Sequence, residues 1–527
     1  MTNPSVAASQ QWDIIIIGTG VGGATLGRSL ALAGFRLLFL EKGGRIRPGA
    51  EGIAAPTPES RMAQGWWPHP VSRRQPNGDR KRFYAAIGCA FGGTSIHYAA
   101  ALERMSPSDF EGLHTTHPPT PRWPVGFAEF LPYYEAAEKL YGITAEASQR
   151  AQQRMSEWDL ALMEQMRQSG LTPEPLHVGI RYDWQCKECI GKICPRGCKS
   201  DARIACLDEA LRQPNCEMLE HCDVQTLDAD YESVRVVRAR HSGHDLEFRA
   251  KIIVLSAGAM HSPQILLRSS NEFWPQGLAN SSDQVGRNLM FHTSDLLAIW
   301  APHRLSRKGR QRKSISVRDF YVHHDRRLGY IQSMGLDAGR GEIAAYLKDQ
   351  LRRRGVRSEF LLSLIVKLPS HIGAWMFGDA GIFAAMSEDD PNPENRIVLD
   401  PNEPDGASFS YAITDDLRTR ADGLWRAFSQ SVRPWRTLRI STELEMNYGH
   451  PCGTCRFGDT RASSVLDRNC RTHDLENLYV VDSSFMPRSG AINPSLTIAA
   501  NALRVAPQIA ARFHSHNRSD HDAIMSS

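Results

Sequence analysis

No basic, then apolar, leader opens the sequence: residues 1–11, "MTNPSVAASQQ", carry neither a Lys or Arg nor an apolar stretch. A secretory signal needs both, so the expectation is a cytoplasmic protein. No uninterrupted apolar run approaches the ~18 residues of a membrane span. The nearest, "HIGAWMFGDAGIFAAM", is broken by Asp379 and by glycines, so no span is expected. Neither sign of charge dominates, because 62 Lys and Arg stand against 58 Asp and Glu, a formal net charge of +4. A nucleic-acid binder needs a concentrated basic face, which this balance does not supply. The cysteines number eleven, an odd count without a leader. That argues against a disulfide framework and for a reducing compartment. No internal repeat and no low-complexity segment is present.

What is present begins at residue 14. Ile14 to Ile17 form a β-branched run without alternation, the pattern of a strand buried on both faces. Gly18, Gly20 and Gly23 follow in G-x-G-x-x-G spacing. The first glycine permits a tight turn, the second lets a phosphate approach the backbone, and the third lets a helix pack close to the strand. The segment "GATLGRSLALAGF" reads as that helix, with Leu26, Leu30 and Ala33 on one face and Gly34 as its stop. "RLLFLE" reads as a second strand, ending in Glu41 at the distance suited to ribose hydroxyls. Strand, turn, helix, strand and acid in this order predict a dinucleotide site. No second G-x-G-x-x-G occurs, so no place for a nicotinamide partner is evident. One dinucleotide site in 527 residues suggests a tightly held FAD, reduced directly by its substrate.

At this length two or more domains are expected. A second glycine-rich turn holds Gly88, Gly92 and Gly93, with His97 four residues on. "HTTHPPTPRWPV" reads as a proline-rich loop and "FAEFLPYYEAAEKLYGI" as an amphipathic helix. "RAKIIVLSAGAMHSPQILLRS" reads as a buried strand, a turn at Ser256-Ala257-Gly258 and a helix. From about 295 to 445 the character changes to a separate, substrate-side unit. Its basic runs, "HRLSRKGRQRKSISVRD" and "KDQLRRRGVR", read as solvated faces, with a membrane or an anionic substrate as the alternative. Near the C-terminus "NLYVVD" is a strand ending in Asp482, and "NPSLTIAANALRVAPQIAARF" is a helix with Pro494 in its first turn. A helix start of this kind suits the negative charge of a reduced flavin.

These residues together resemble the glucose–methanol–choline (GMC) oxidoreductases, flavoproteins that oxidise alcohols. The matching segments run in order along nearly the whole chain: the Gly18/Gly20/Gly23 turn with Glu41, "GGTSIH", "IIVLSAGAMHSPQILLRS", "VGRNLMFH", "HPCGTCRFG" and "NLYVVDSSFMPRSGAINPSLTIAANALR". The resemblance implies an α/β fold, with a Rossmann-like FAD domain built from discontinuous segments. It also implies a substrate domain with an antiparallel sheet flanked by helices. The expected segments are 1–294 for the first FAD part (110–200 as a lid or insert), 295–445 for the substrate part and 446–527 for the second FAD part. Besides Gly18, Gly20, Gly23 and Glu41, the cofactor contacts it implies are Gly92, Gly93, Thr94 and His97, then Val224, Ala257 and Asp482, then Asn493, Pro494 and Ser495.

By the same resemblance His450 is the active-site histidine and Asn493 the second active-site residue. The chemistry agrees. Oxidising an alcohol removes the hydroxyl proton, which a His can accept, and an Asn can donate to the developing oxyanion. The implied reaction converts a primary or secondary alcohol to a carbonyl, with oxygen, a quinone or a redox protein as electron acceptor. A hydroxynitrile-lyase-like reaction without net redox is the alternative on the same fold, and a non-catalytic flavin-binding partner is a further one. His97 either bonds FAD covalently, as some members do at this offset, or packs near the flavin's dimethylbenzene edge. Cys186, Cys189, Cys194 and Cys198 stand in C-x2-C-x4-C-x3-C spacing. Three readings stay open there: a family loop without metal, an iron–sulfur cluster, or zinc.

Overall fold

The computed structural model describes residues 3–525 except 47–68, 76–77, 113–120, 184–185, 187, 304, 306–312, 324–325, 337–339, 354, 357, 404–405 and 442. Most of the first basic run and of the proline-rich loop lie outside the described residues. The strand predicted around Ile14 runs Gln11–Ile17, and it is the centre of a parallel sheet. Leu37–Leu40 pairs on one side with Cys216–Leu219 beyond it, and the second half of His244–Leu255 pairs on the other. Leu478–Val480, from far along the chain, adds to that strand in parallel. The first half of His244–Leu255 leaves the parallel sheet and pairs antiparallel with Val234–His241, which pairs with Cys222–Ala229. Ile14 to Ile17 are all buried, as a strand covered on both faces requires.

The register decides where a ligand can sit. Ile17 lies opposite Leu40 and Leu255, and Leu255 opposite Val480. The residues that follow, Gly18, Glu41, Ser256 and the turn leading to Asp482, therefore form one row at the carboxyl edge of the sheet, where open α/β sheets bind ligands. Over this edge runs the helix Val21–Leu32. Leu26 and Leu30 are buried as expected, but Ala33 lies past the helix end and is exposed. Gly34 has φ +91°, a conformation that ends the helix at little cost for glycine alone.

A six-stranded antiparallel sheet is ordered Arg436–Arg439, Asp295–Trp300, Gly381–Met386, Tyr330–Ser333, Ile315–Val317, Glu174–Pro175. The helices Glu157–Gln168 and Asp415–Ser431 cover it, with Trp158, Leu162, Leu424 and Phe428 in their shared core. A four-stranded sheet joins Arg396–Val398 and Ser408–Ser410 to Val71–Arg74 and Arg80–Phe83. The expected α/β architecture, a Rossmann-like layer plus an antiparallel sheet flanked by helices, is the one observed.

One expectation needs correction. Pro494 is not inside the C-terminal helix but immediately before it, since the helix runs Ser495–Met525 and the Pro494 carbonyl accepts from Ile498 N. Among the described residues one helix, Glu359–Phe377, is long and apolar enough by length and composition to cross a membrane, with mean hydropathy 1.4. Lys367, Pro369 and His371 break it into short runs in the sequence, and only its helical continuity restores the apolar length.

Beneath the antiparallel sheet lies a buried charge network. Glu388 accepts from Arg488 at 3.0 and 2.9 Å and from Arg327 Nε at 2.7 Å. Arg327 also pairs with Asp109, which accepts from Tyr321 Oη at 2.7 Å. All five side chains are buried. Burial opposes the charge on Glu388, but Arg327 and Arg488 hold its carboxyl down at about 2. Removing one partner of a buried pair leaves the other charged and unpaired, at ~3–5 kcal/mol. Glu388→Gln is therefore expected to unfold several kcal/mol more easily at neutral pH. Because the native pKa is depressed, this contribution is present above the unfolded value of ~4.3 and fades as pH falls toward 2. Denaturation at pH 7 and pH 3 checks it: the gap between variant and wild type is wide at the first and narrow at the second.

Candidate active site

A cavity of about 1590 Å³ follows the carboxyl edge of the parallel sheet and reaches under the antiparallel sheet. It exceeds the ~300–1,000 Å³ of an ordinary ligand pocket, as a dinucleotide plus substrate requires. Every cofactor contact expected from the sequence except Gly23 and Gly92 lines it. Those two act from behind. A Cβ on Gly23 would lie 2.3 Å from the Gly18 carbonyl oxygen, so it sets the helix-to-strand packing. Gly92, at φ +99°, donates its N–H to Thr19 Oγ1 at 3.1 Å. Gly20 is the opposite case: a Cβ there would meet nothing within 4 Å, so space is open at its backbone. Gly20 caps the Val21–Leu32 helix without a side-chain bond, which leaves the helix's first N–H groups for an anion.

Glu41 is buried and accepts from Thr19 N at 3.0 Å, Thr19 Oγ1 at 2.5 Å and Gly43 N at 2.8 Å. It thus braces the glycine turn while lining the cavity where a ribose would sit. Burial pushes its pKa up, against the pull of these hydrogen bonds. A Cβ on Gly93 would lie 2.7 Å from Gly20 Cα, so the two glycine turns pack back to back. Thr94 Oγ1 accepts from Gly88 N at 2.9 Å, and a Cβ on Gly88 would touch the His97 ring. Asp482 accepts from Gly258 N at 2.9 Å and Ser262 Oγ at 2.5 Å, joining the C-terminal strand to the Ser256–Gly258 turn. Val224 and Ala257 supply apolar wall.

His450 comes to this cavity on an irregular strand. Met446–Cys452 pairs antiparallel with Met290–Thr293, with Met290 opposite Cys452 and His292 opposite Asn447. Four residues, 448–451, bulge against one, and the bulge turns His450 away from the ladder. Its Nδ1 lies 3.1 Å from His292 Nδ1, and His292 Nε2 lies 3.1 Å from the Ser489 carbonyl oxygen. A carbonyl only accepts, so His292 carries its proton on Nε2. Burial holds His292 neutral, which leaves its Nδ1 bare. His450 must then donate from Nδ1, and its Nε2 is the free base. Burial first, and then His292 and Lys313, push the His450 pKa well below the usual histidine value. Asn447 Nδ2 approaches Nε2 at 3.4 Å. Asn493 lines the same cavity, and its Oδ1 is buried with no hydrogen-bond partner among the described residues.

Two site residues escaped the sequence reading. His292 closes the quoted "VGRNLMFH" motif, but nothing in that motif says its ring reaches His450. Lys313 belongs to the first basic run, read as a solvated face. It is instead buried, lines the cavity, and is pushed down to about 8 by burial, against the pull of Glu188 and Glu103. A run of like charges hides a member that the fold turns inward.

The four spaced cysteines form a loop beside the cavity, which Ile190 and Gly191 line. A hydrogen bond from Cys189, opposed by burial and helped by backbone N–H groups, brings the Cys194 thiol down to about 4. Lys199 closes the loop, its Nζ donating to the carbonyls of Tyr98, Cys189 and Lys192 at 2.9, 3.2 and 2.7 Å. Among the described residues no group of three or more His, Cys, Asp or Glu is placed to hold a metal ion.

The open space at Gly20, the uncapped helix start and the buried acceptor Glu41 fit the phosphates and ribose of FAD. Family models described as GMC oxidoreductase match residues 12–294 and 391–502. The chain is 27% identical to 6'''-hydroxyparomomycin C oxidase of Streptomyces lividus, over 96% of this chain and 92% of that protein. It is 26% identical to 2-methyl-1,2-propanediol dehydrogenase of Mycolicibacterium austroafricanum, over 96% of each. Its fold superposes on the crystal structure of pyridoxine 4-oxidase from Mesorbium loti with TM-score 0.66 and 21% identity, covering 94% of this chain and 99% of that one. With a cavity built for FAD and both family models matched in order, this chain belongs to the GMC oxidoreductases and is an FAD-dependent oxidoreductase.

Proposed function

We propose that the protein oxidises a primary or secondary alcohol to a carbonyl, with His450 as the base and Asn493 as the oxygen-binding partner. FAD, when bound, supplies the hydride acceptor. The observation that carries the reading is the His292–His450 contact. It leaves a neutral imidazole with a bare Nε2 at the cavity, the form needed to take a hydroxyl proton. Asn493 lines the same cavity, where its amide Nδ2 is the group able to donate to the substrate oxygen, its Oδ1 being an acceptor. His292 is a positioning residue, holding the tautomer through the Ser489 carbonyl. Relatives named as an oxidase and as a dehydrogenase of hydroxyl compounds support alcohols as the substrate class.

We also propose that FAD is held without a covalent bond. Support comes from His97, whose two ring nitrogens are both buried although the residue lines the cavity. Acid precipitation should leave the flavin in the supernatant. Flavin in the wild-type pellet, released by His97→Ala, would reverse this reading. Glu41→Gln should weaken FAD binding by ~10–100-fold, the worth of a hydrogen bond to a charged acceptor. Fluorescence titration of the apoprotein with FAD measures it.

Anaerobic stopped-flow reduction of the flavin by a reactive alcohol tests the catalytic assignment. His450→Ala should slow it ~10²–10⁴-fold and Asn493→Ala ~10²–10³-fold, with FAD binding unchanged. Because the His450 pKa lies below the ordinary value, the wild-type rate should be flat through neutral pH and fall only in acid. His450→Ala should lose that acid limb. Turnover without flavin bleaching would instead favour the lyase reaction.

A further inference from the structure

The helix Glu359–Phe377 presents its apolar side outward. Phe360, Leu364, Leu368 and Trp375 are 77, 62, 68 and 85% exposed, and Leu361, Ile365, Ile372 and Met376 are exposed beside them. These positions share one face at helical period, while only Leu362, Val366 and Ser370 on the opposite stripe are buried. At ~1.5 Å per residue the apolar face runs ~28 Å, longer than the scattered apolar residues of a monomer surface.

The helix is held against the body at both ends. Glu359 pairs with Arg352, and Lys348 Nζ donates to Ser363 Oγ at 2.8 Å, joining it to the helix Arg340–Arg353. At its far end Trp300 Nε1 donates to the Met376 carbonyl at 3.1 Å and the Trp300 ring packs on Phe377. Tethered this way, and carrying Lys367 and Pro369, it lies along the surface and does not span. The hairpin is also basic. Residues 340–378 hold seven Lys and Arg against three Asp and Glu, an excess equal to the +4 of the entire chain.

We propose that this hairpin docks the protein on an anionic membrane surface: the Phe360–Trp375 face sinks to the acyl-chain boundary and the surrounding Lys and Arg meet lipid phosphates. A hairpin with an excess of cations in its sequence and an exposed apolar face, with aromatic residues at the ends of that face, has the composition that lies in a bilayer interface. A second copy of the chain fits worse, because a two-fold contact over this face brings two hairpins of like charge together. The other helix of the hairpin borders the active-site cavity, since Tyr346, with Met334 and Leu336 before the helix, lines it.

Flotation of the FAD-loaded protein tests this, with vesicles of phosphatidylcholine alone or of equal parts phosphatidylcholine and phosphatidylglycerol. The protein should float with the anionic vesicles, far less with the neutral ones, and less at high salt. The double substitution Leu364→Glu, Leu368→Glu should weaken partitioning more than ~10-fold while FAD content and melting temperature are kept. Lipids brominated on the acyl chains should quench tryptophan emission, and Trp375→Phe should lose most of that quenching. Wild-type protein left at the bottom with anionic vesicles would overturn the proposal, as would a double variant that floats like wild type. A dimer that the double substitution splits, with no flotation, would assign the face to self-association instead.

Discussion

Glu388 has to stay ionised where no water reaches it, and the architecture around the site depends on how that is achieved. Arg488 and Arg327 neutralise it, and Gly490 N adds a hydrogen bond at 3.2 Å. Arg327 extends the network to Asp109, and Tyr321 bridges Asp109 to Ala491 N. The segment 488–491 is thereby held at three successive points. Its Ser489 carbonyl orients His292, and two residues beyond Ala491 stands Asn493. His450 and Asn493, the residues proposed as base and oxygen-binding partner, are thus referred to one buried carboxylate, although neither touches it. Such a network costs desolvation, and a well-packed apolar replacement could match its stability. What it adds is position, since ion pairs satisfied from several directions tolerate little displacement.

The cofactor side obeys a different constraint, close approach of backbones. Gly18 sits against the Ser256 carbonyl, Gly22 against the Val481 carbonyl and Gly93 against Gly20. Four chain segments, from residues 18–22, 93, 256 and 481, meet in close contact at the edge of one sheet. Side chains there would push them apart, and the cavity between them would lose its shape. The wall is made of backbone, so it presents N–H groups, which is what a pyrophosphate needs.

Charge is nearly balanced over the whole molecule but unevenly placed. Inside, Glu388, Asp109 and Glu103 are paired with arginines, whereas Glu41 and Asp482 are held by neutral donors. Outside, the Arg340–Phe377 hairpin carries a positive excess in its sequence and an apolar face on its second helix. A nearly balanced whole-chain charge averages away a local patch of this kind.

The sequence alone determined the parallel-sheet unit and its ligand edge. A β-branched run, glycines at fixed spacing and a terminal acid are local signals, and each is read within a few residues of where it acts. His450 and Asn493 were named through the family resemblance, because their motifs are contiguous, and the fold brings both to the cavity. The tertiary structure decided the rest. His292 and His450 are paired across a bulge by strands 158 residues apart, and no local pattern carries a register between distant strands. Lys313 turned inward from a basic run because its neighbour strand enters the antiparallel sheet. The Glu359–Phe377 helix does not stand out in the sequence, because apolar runs are counted along the chain, whereas a helix sums them along a face. Local chemistry sets which elements form. Which side chains then meet depends on long-range packing, and packing exists only in the folded molecule.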